Sequence, residues 1–499
     1  MINEQSYTAE GAVWQAEVLT APVGLAIEKK EEISMKRSII LSAVCLALLL
    51  LTTAEAQIGK RFPSEKKIVK DPVTGTMLTF LTSTPMGDSK IYQTHNQWTS
   101  DGQWLIFRSG RVKGEAMAVN EKTGEMVQVT EGGYTGMLSI ARYSMKLYFM
   151  RDPNRRPFPS TSVAGATPIQ RPTQQPTQLQ VIEVDLERLF ADSRAGKMHS
   201  PDFYQKVMGT TPIEIQAGGD MALDADEKWV YFRVGRDEAA SHMAPDAKME
   251  KSFGPRNMGA GPTGIGSMEL ATGKFKHVVS VPFQIGHIQT NGWVPGELVF
   301  CWETGGKSPQ RMWTVKSDGT GLRPIYPEPE TDWVTHEAVI GKDEVAFAIM
   351  GHRKIPGGSK DVGEATAVGG ANPGQEAEWG PSGTREKPTG LGIVNLRTHE
   401  MRIVGQTPNG SGLWHVSGSP DGRFAVGDDF SRSIYLIDRK TGEMILLSTG
   451  HKTTAQDHPH PTMSPDGTKI QIQSAMLAED GKSMNICIIP VPREWLKRR

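Results

Sequence analysis

HVSGSPDGRFAVGDD (415–429), followed by SIYLIDRKTGEMILL (433–447), is the stretch of sequence that decides the fold. Ser-Pro-Asp-Gly is a tight-turn sequence, because proline presets φ and glycine tolerates a positive φ. The segments that flank this turn alternate apolar and polar residues, which indicates half-buried strands. A Thr-Gly turn then separates two further strands in the second half. The stretch therefore predicts a unit of four consecutive strands.

The same unit recurs along the chain. Together with 415–447, its copies span 97–130, 138–190, 221–279, 290–325, 336–404 and 461–491. Repetition of a four-stranded unit is typical of β-propellers, in which no blade buries its apolar faces without its neighbours. A pair of β-sandwiches would not produce seven copies of one unit. We therefore predict an all-β, seven-bladed β-propeller over 57–499, with four strands in each copy.

Insertions lengthen three of the predicted blades. They lie at 152–178, 236–262 and 352–388, and they are rich in proline, glycine and glutamine without any periodicity. Segments of this kind are predicted to form long loops over the propeller rather than separate domains.

The N-terminus carries an export signal. A short basic start (35–37), an apolar run (39–51) and a small-x-small sequence (54–56) are typical of a secretory signal peptide. The alternative, a transmembrane anchor, is disfavoured because the apolar run is short for a bilayer. We predict a signal peptide at 35–56, a periplasmic or secreted protein, and no membrane span after cleavage. Residues 1–34 are predicted to be a start-site artefact or a disordered extension.

Charge and missing motifs exclude several functions. The net charge of −1 argues against a nucleic-acid or membrane-surface partner. The chain has no G-x-S-x-G nucleophile motif, no Walker-type phosphate loop and no C-x-x-C pair.

Half of the histidines occupy the same position within different copies of the repeat. Six of the twelve lie about six residues, or slightly more, before the first turn of a copy. Because the first strand of every blade lines the central channel in the same direction, such residues are expected to ring one mouth of the channel. The six are His95, His287, His336, His415, His458 and His460. Clustered imidazoles are a default metal or acid–base site.

The pair His458 and His460 is separated by one residue. On an extended chain both side chains would point to the same face. Asp428 and Asp429 offer a further ligand pair, or else an acidic turn after a strand.

Four stretches resemble the oligogalacturonate lyase family, a group of seven-bladed propeller polysaccharide lyases. They are 297–326, 334–339, 413–429 and 458–467, and the last contains the specific run His-Pro-His-Pro. The resemblance implies β-elimination of a 4-linked uronate such as oligogalacturonate from pectin, and hence an acidic oligosaccharide as partner.

The resemblance also implies a divalent metal, usually Mn²⁺, at His415, His458 and His460 with a glutamine nearby. The family's glutamine lies three residues before the first of the paired histidines, where this chain has Ala455, and Gln456 is one residue closer. We therefore include Gln456 in the predicted metal site.

The catalytic base implied by the resemblance is His336, and Arg311 is implied to lie beside the substrate. We assign the substrate side to His95, His287, Trp302 and Lys307. Trp302 replaces a histidine of the family's motif, and Lys307 lies in the glycine-containing loop that follows.

The chemistry suits these residue types. The C5 proton of a uronate is poorly acidic because the adjacent carboxylate is negative, and a bound metal neutralises that charge. A neutral imidazole is a suitable base near pH 7, and a guanidinium contacts a carboxylate through two hydrogen bonds. The sequence does not identify the proton donor for the leaving oxygen. It also leaves the sugar open among galacturonate, glucuronate and other uronates.

Two other interpretations remain open. One is a non-catalytic, TolB-like periplasmic propeller that binds a peptide in its channel, although such a scaffold needs no histidine ring. The other is a propeller hydrolase or isomerase that uses the same metal.

Overall fold

A computed structural model describes residues 57–154, 178–252, 257–304, 308–329, 332–351, 390–406 and 413–498. The predicted signal peptide, the segment 1–34 and Lys307 lie outside these ranges. Within them, no helix has both the length and the apolarity that a bilayer crossing requires.

The first three strands precede the first blade. They are β1 (Arg61–Phe62), β2 (Lys67–Lys70) and β3 (Met77–Phe80). Blade 1 follows with β4 (Ser89–Lys90), β5 (Trp104–Arg108), β6 (Ala116–Asn120) and β7 (Met126–Gln128), and β1 pairs with the outer side of β7.

Blades 2 to 4 each consist of four antiparallel strands in chain order. Blade 2 contains β8 (Thr135–Ile140), β9 (Lys146–Arg151), β10 (Gln180–Asp185) and β11 (Gln205–Thr210). Blade 3 contains β12 (Met221–Leu223), β13 (Trp229–Val234), β14 (Ala260–Glu269) and β15 (Phe275–Phe283). Blade 4 contains β16 (Ile285–Thr290), β17 (Glu297–Trp302), β18 (Met312–Lys316) and β19 (Arg323–Pro324).

Blades 5 and 6 repeat this arrangement, and blade 7 departs from it. Blade 5 contains β20 (Asp332–Gly341), β21 (Glu344–Gly351), β22 (Gly390–Asn395) and β23 (Met401–Gln406). Blade 6 contains β24 (Leu413–Gly418), β25 (Phe424–Asp429), β26 (Ile434–Asp438) and β27 (Met444–Ser448). Blade 7 takes only three strands from the C-terminal region: β28 (Thr462–Met463), β29 (Lys469–Ser474) and β30 (Asn485–Pro490).

The predicted seven-bladed propeller is confirmed, but the prediction of four strands in every copy is wrong for the last one. The fourth and fifth strands of blade 7 are β3 and β2, with Thr79 opposite Ile488 and Phe80 opposite Cys487. This pairing joins the two ends of the described chain and covers the edge that β30 would otherwise expose.

Short helices occur where the repeat pattern indicated none. They are α1 (Leu186–Ala195), α2 (Pro201–Tyr204), α3 (Arg236–Ser241) and α4 (Arg493–Leu496). The α1 helix begins because the Asp185 side chain accepts the Arg188 N–H at 3.0 Å, an N-cap bond. The fourth strand of blade 2 therefore starts later, at Gln205.

The core lies between neighbouring blades. Ile106 of β5 packs with Leu138 and Phe149 of blade 2, and Ile265 of β14 packs with Phe300 of β17. The innermost strands converge on a central cavity to which every blade contributes residues. Residues at the same position of different inner strands therefore approach one another.

We expect Phe80→Ala to lower the free energy of unfolding by about 3–5 kcal/mol, the cost of truncating a fully buried phenylalanine. Phe80 is 0% exposed on the closing strand β3. The matched control is Ile68→Ala on β2, where the side chain is 64% exposed and a change below about 0.5 kcal/mol is expected. Urea unfolding measures both, and equal losses would contradict the role of β3 in closure.

Candidate metal and catalytic site

Backbone bulges on three neighbouring inner strands position the site. On β16, β20 and β24, two residues stand opposite one residue of the next strand. Such bulges bend a strand and re-aim its side chains. The bulged pairs are His287–Ile288, His336–Glu337 and Trp414–His415. Each bulge thus contributes one of the predicted histidines.

The backbone at two of these histidines is strained. His287 has φ 49° and His336 has φ 53°, in the left-handed region that non-glycine residues seldom adopt. The side-chain amide of Gln289 holds the second bulge, because it donates to Glu337 O at 3.1 Å and accepts the Val339 N–H at 2.8 Å.

The first group of side chains, which we call the histidine–aspartate cluster, comprises His415, Asp428, His458 and His460. Asp428 lies opposite the third bulge and accepts the His415 N–H at 2.6 Å. Its Oδ2 atom is 3.2 Å from His415 Nδ1 and 3.6 Å from His458 Nδ1. The ring of His460 lies 3.7 Å from that of His415 between centroids.

His458 and His460 lie in the cluster, but with a backbone conformation that differs from the predicted one. The described chain forms no strand at 458–460, and His460 adopts a left-handed conformation with φ 51°. The same-face argument for an extended chain is therefore wrong, although both rings do lie close to His415, at 5.2 Å and 3.7 Å.

Burial and mutual contacts set the protonation states of Asp428 and His415 in this cluster. Burial favours the protonated form of Asp428, but its interactions with His415 and His458 outweigh burial and hold the carboxyl pKa well below its usual range. Burial, reinforced by the neighbouring His460, lowers the pKa of His415 to about 3. An ionised Asp428 carboxylate thus faces the neutral His415 imidazole, and these are the donor states that a metal ion requires.

His336 lies beside this cluster, with its ring 4.2 Å from that of His415 and 4.4 Å from that of Trp414. Its Nδ1 atom is buried and makes no hydrogen bond to the described residues. Desolvation and the adjacent His415 and Arg311 hold its pKa well below the usual value. The side chain is therefore a neutral imidazole with an available lone pair.

The second group, which we call the arginine network, comprises Arg311, Glu337, His287 and Glu303. Arg311 Nε donates to Glu337 Oε2 at 2.8 Å, and its Nη2 atom lies 3.6 Å from Glu303 Oε2. His287 Nδ1 is 3.0 Å from Glu337 Oε1. Burial opposes ionisation of Glu337, but Arg311 and His287 outweigh it and lower the pKa to about 2. Burial likewise opposes protonation of His287, yet Glu337 raises its pKa.

Tyr92 lies between the two groups. Its ring centroid is 5.0 Å from that of His287, 5.1 Å from that of His460 and 6.3 Å from that of His415. Burial and the charge of Glu337 raise the pKa of the phenol well above its usual value. Tyr92 therefore presents a protonated hydroxyl beside both groups.

The structure leaves one predicted metal ligand apart from the cluster. Gln456 is exposed, and its backbone N–H donates to Lys482 O at 3.2 Å. A different glutamine, the buried Gln93 of blade 1, places its Oε1 atom 2.8 Å from His460 Nδ1. A glutamine thus does lie beside the histidines, but it comes from the opposite end of the chain.

Two residues predicted on the substrate side are held by other contacts. His95 Nε2 lies 2.9 Å from Met221 O, so its ring is tied to blade 3. Trp302 stacks on Phe283 at 4.9 Å, and its Nε1 donates to Gly259 O at 3.0 Å. Among the predicted substrate-side residues within the described ranges, only His287 belongs to the arginine network.

Sequence reasoning missed Glu337, Tyr92 and Gln93 as members of the site. Glu337 directly follows His336, and the bulge that turns the two side chains to different partners has no marker in the sequence. Tyr92 and Gln93 precede His95 in YQTH (92–95), where nothing links them to His460, which is more than 360 residues away.

The residues present suit a divalent metal ion. His415, Asp428 and His458 each offer a ligand atom, and these atoms lie within 4.8 Å of one another. His458 Nδ1 is buried and makes no hydrogen bond to any residue that the structure describes. Imidazole and carboxylate donors bind Mn²⁺ and Zn²⁺ among other ions.

Comparisons with known proteins agree with the fold. No protein-family model matches the chain, and no curated protein matches it. Among solved structures, an oligogalacturonate lyase in complex with manganese superposes with a TM-score of 0.62 at 17% identity, over 89% of this chain and 100% of that chain. An oligogalacturonate lyase from Vibrio parahaemolyticus gives a TM-score of 0.62 at 18% identity, over 88% of this chain and 100% of that one. At such identities the similarity establishes the seven-bladed fold.

We expect His458→Ala to weaken metal binding by at least about tenfold, because it removes one donor of the cluster. His336→Ala is the matched control, since His336 lies outside the group of mutually close ligand atoms and should leave metal content unchanged. Inductively coupled plasma mass spectrometry after dialysis measures both variants. Equal metal loss in the two would contradict this division between ligand and neighbour.

Proposed function

We propose that this protein is a metal-dependent lyase that cleaves 4-linked uronate oligosaccharides by β-elimination. The observation that carries the proposal is a group of side chains suited to a metal ion, in direct contact with His336, a neutral imidazole whose Nδ1 makes no hydrogen bond to the described residues. The fold similarity to two oligogalacturonate lyases, one of them a manganese complex, supports the same chemistry.

The metal ion, proposed to be Mn²⁺, would be held by His415, Asp428, His458 and His460. When bound, it would neutralise the substrate carboxylate and stabilise the negative charge that develops as the C5 proton leaves. The ionised Asp428 and the neutral His415 imidazole suit a cation, because neither side chain has to lose a proton first.

His336 is proposed as the base that removes the C5 proton. Its backbone is left-handed, and its ring lies against Trp414 beside the cluster. A neutral imidazole accepts a proton directly.

Arg311 is proposed to bind a substrate carboxylate. Its Nε and Nη2 atoms face Glu337 and Glu303, whereas Nη1 makes no hydrogen bond to the described residues. The carboxylates fix the plane of the guanidinium, and the remaining N–H groups supply the contact to the substrate.

Tyr92 is proposed to protonate the leaving 4-oxygen. Its hydroxyl makes no hydrogen bond within the part of the chain described, and its raised pKa keeps the proton in place until charge develops on the leaving group. With the base and the acid on different residues, elimination is possible when H5 and O4 lie on opposite faces of the sugar, as in galacturonate.

The proposed setting is the periplasm or the exterior, as the N-terminal signal predicts, and the proposed substrate is an acidic oligosaccharide derived from pectin or a related uronate polymer. The bulged histidines favour a catalytic protein over a peptide-binding scaffold, since strained backbone of this kind concentrates at active sites.

The decisive experiment incubates the mature protein with galacturonate and glucuronate oligosaccharides and follows the ultraviolet absorbance of the C4–C5 unsaturated product. We expect product from at least one of them, strong inhibition by a chelator, and a rate about 10²–10⁴-fold lower for His336→Ala. Absence of product from every uronate would refute the lyase and leave the scaffold interpretation. A rate insensitive to chelation would refute the metal's role alone.

We expect Tyr92→Phe to lower kcat by about 10²–10⁴-fold while metal content stays unchanged, because only the proton donor is lost. Tyr143→Phe is the matched control, since that ring is 67% exposed at the surface. A uronate whose 4-substituent leaves without protonation, such as a nitrophenolate, should be cleaved equally fast by Tyr92→Phe and the wild type. Slow cleavage of that substrate by Tyr92→Phe would contradict the donor role.

A further inference from the structure

A second group of metal-binding side chains lies in blade 3, apart from the channel. The connection from β13 to β14 begins with the short helix α3. Glu238 lies on this helix, and His242 is its C-cap residue, four positions further along. His277 of β15 faces them. Glu238 Oε1 is 3.0 Å from His242 Nε2 and 3.7 Å from His277 Nδ1, and the three ligand atoms lie within 4.8 Å of one another.

These separations suit a tetrahedral ion. Zinc binds imidazole nitrogen and carboxylate oxygen at about 2.1 Å, so two ligand atoms of a tetrahedral site lie about 3.4 Å apart. The two nitrogen–oxygen distances above, 3.0 Å and 3.7 Å, lie on either side of that value. Two histidines and one carboxylate leave a fourth position for water.

The hydrogen bonding of His277 leaves one of its ring nitrogens available to a metal ion. Its Nε2 atom lies 3.2 Å from Ser280 Oγ, and when Nε2 donates to that oxygen the lone pair of Nδ1 is free. Nδ1 is buried and has no hydrogen bond within the described ranges of the chain. A β-bulge beside Ile265 and Gly266 turns both Val278 and Val279 into the core, which leaves His277 on the side of α3.

An ion pair between Glu238 and His242 explains only part of this arrangement. The rings of His242 and His277 are parallel within 6° at a centroid distance of 3.7 Å. Two stacked imidazolium ions would repel each other, so the pair is poorly suited to two ion pairs with Glu238. An imidazole binds a metal ion in its own ring plane, so the exposed His242 ring turns out of the stack when an ion is bound between it, Glu238 and the buried Nδ1 atom of His277.

We propose that Glu238, His242 and His277 form a second metal site, which binds Zn²⁺ and fastens helix α3 to the outer strand of blade 3. The site is independent of the proposed lyase activity, because none of its ligands lies in the histidine–aspartate cluster or the arginine network. Zinc suits it because a site of two histidines and one carboxylate is a common zinc environment.

The test measures zinc affinity after chelator treatment, by competition with a chromophoric chelator, in a His415→Ala/His458→Ala background that disables the channel cluster. We expect about one zinc ion per chain there, and at least tenfold weaker binding when His242→Ala or His277→Ala is added. His199→Ala, at an exposed histidine outside the site, is the matched control and should bind zinc unchanged.

Two further measurements guard against misfolding and adventitious binding. The thermal midpoint without metal should be alike in all variants, and zinc should raise it only where the three ligands are intact. Co²⁺ substitution should give the absorption of a tetrahedral site, lost in His242→Ala. Zinc binding that is absent from the background protein, or equal in His242→Ala and His199→Ala, would overturn the proposal.

Discussion

The ring closes because a strand from the N-terminal region pairs with the C-terminal blade, and the rest of the structure depends on that pairing. Phe80 of β3 stands opposite Cys487 of β30, and both side chains are fully buried. Without β3, the polar backbone edge of β30 would face solvent and blade 7 would lose part of its core. Closure also brings blade 1 beside blade 7, which places Tyr92 and Gln93 next to His460.

Within the closed ring, three bulges convert ordinary inner strands into a site. A regular strand would direct the neighbouring His336 and Glu337 to opposite faces. At the bulge both side chains reach the site, His336 beside His415 and Glu337 against Arg311. Left-handed backbone at a non-glycine residue costs on the order of 1–3 kcal/mol, and His287, His336 and His460 all adopt it. The Gln289 amide and the Asp428 carboxylate hold two of the bulges in place.

The electrostatics of the site follow from this geometry. Asp428 is ionised beside the neutral His415 imidazole, and Glu337 is ionised against Arg311 and His287. Tyr92 stays protonated between them. The low dielectric of the interior strengthens each of these interactions, so the protonation states are set before a ligand arrives. A neutral imidazole, a protonated phenol, a guanidinium and a cluster that suits a cation then lie around one point, and these are the groups that the proposed β-elimination would use.

Much of the fold was determined by the sequence alone, because turns and strand alternation are local. Ser-Pro-Asp-Gly turns and seven copies of one unit predicted the propeller, and the distance from each turn predicted that His336, His415 and His460 would approach one another. Closure by β3, the helix α1 and the left-handed turn at His460 were decided by tertiary structure. So were the partners of those histidines: Gln93 rather than the nearby Gln456 lies against His460, and Glu337 pairs with Arg311. Such contacts join residues from different blades, which are far apart in the sequence. A bulge shifts the alternation of side chains by one residue. Neither the contacts nor the bulges can therefore be predicted from the local pattern of apolar and polar residues.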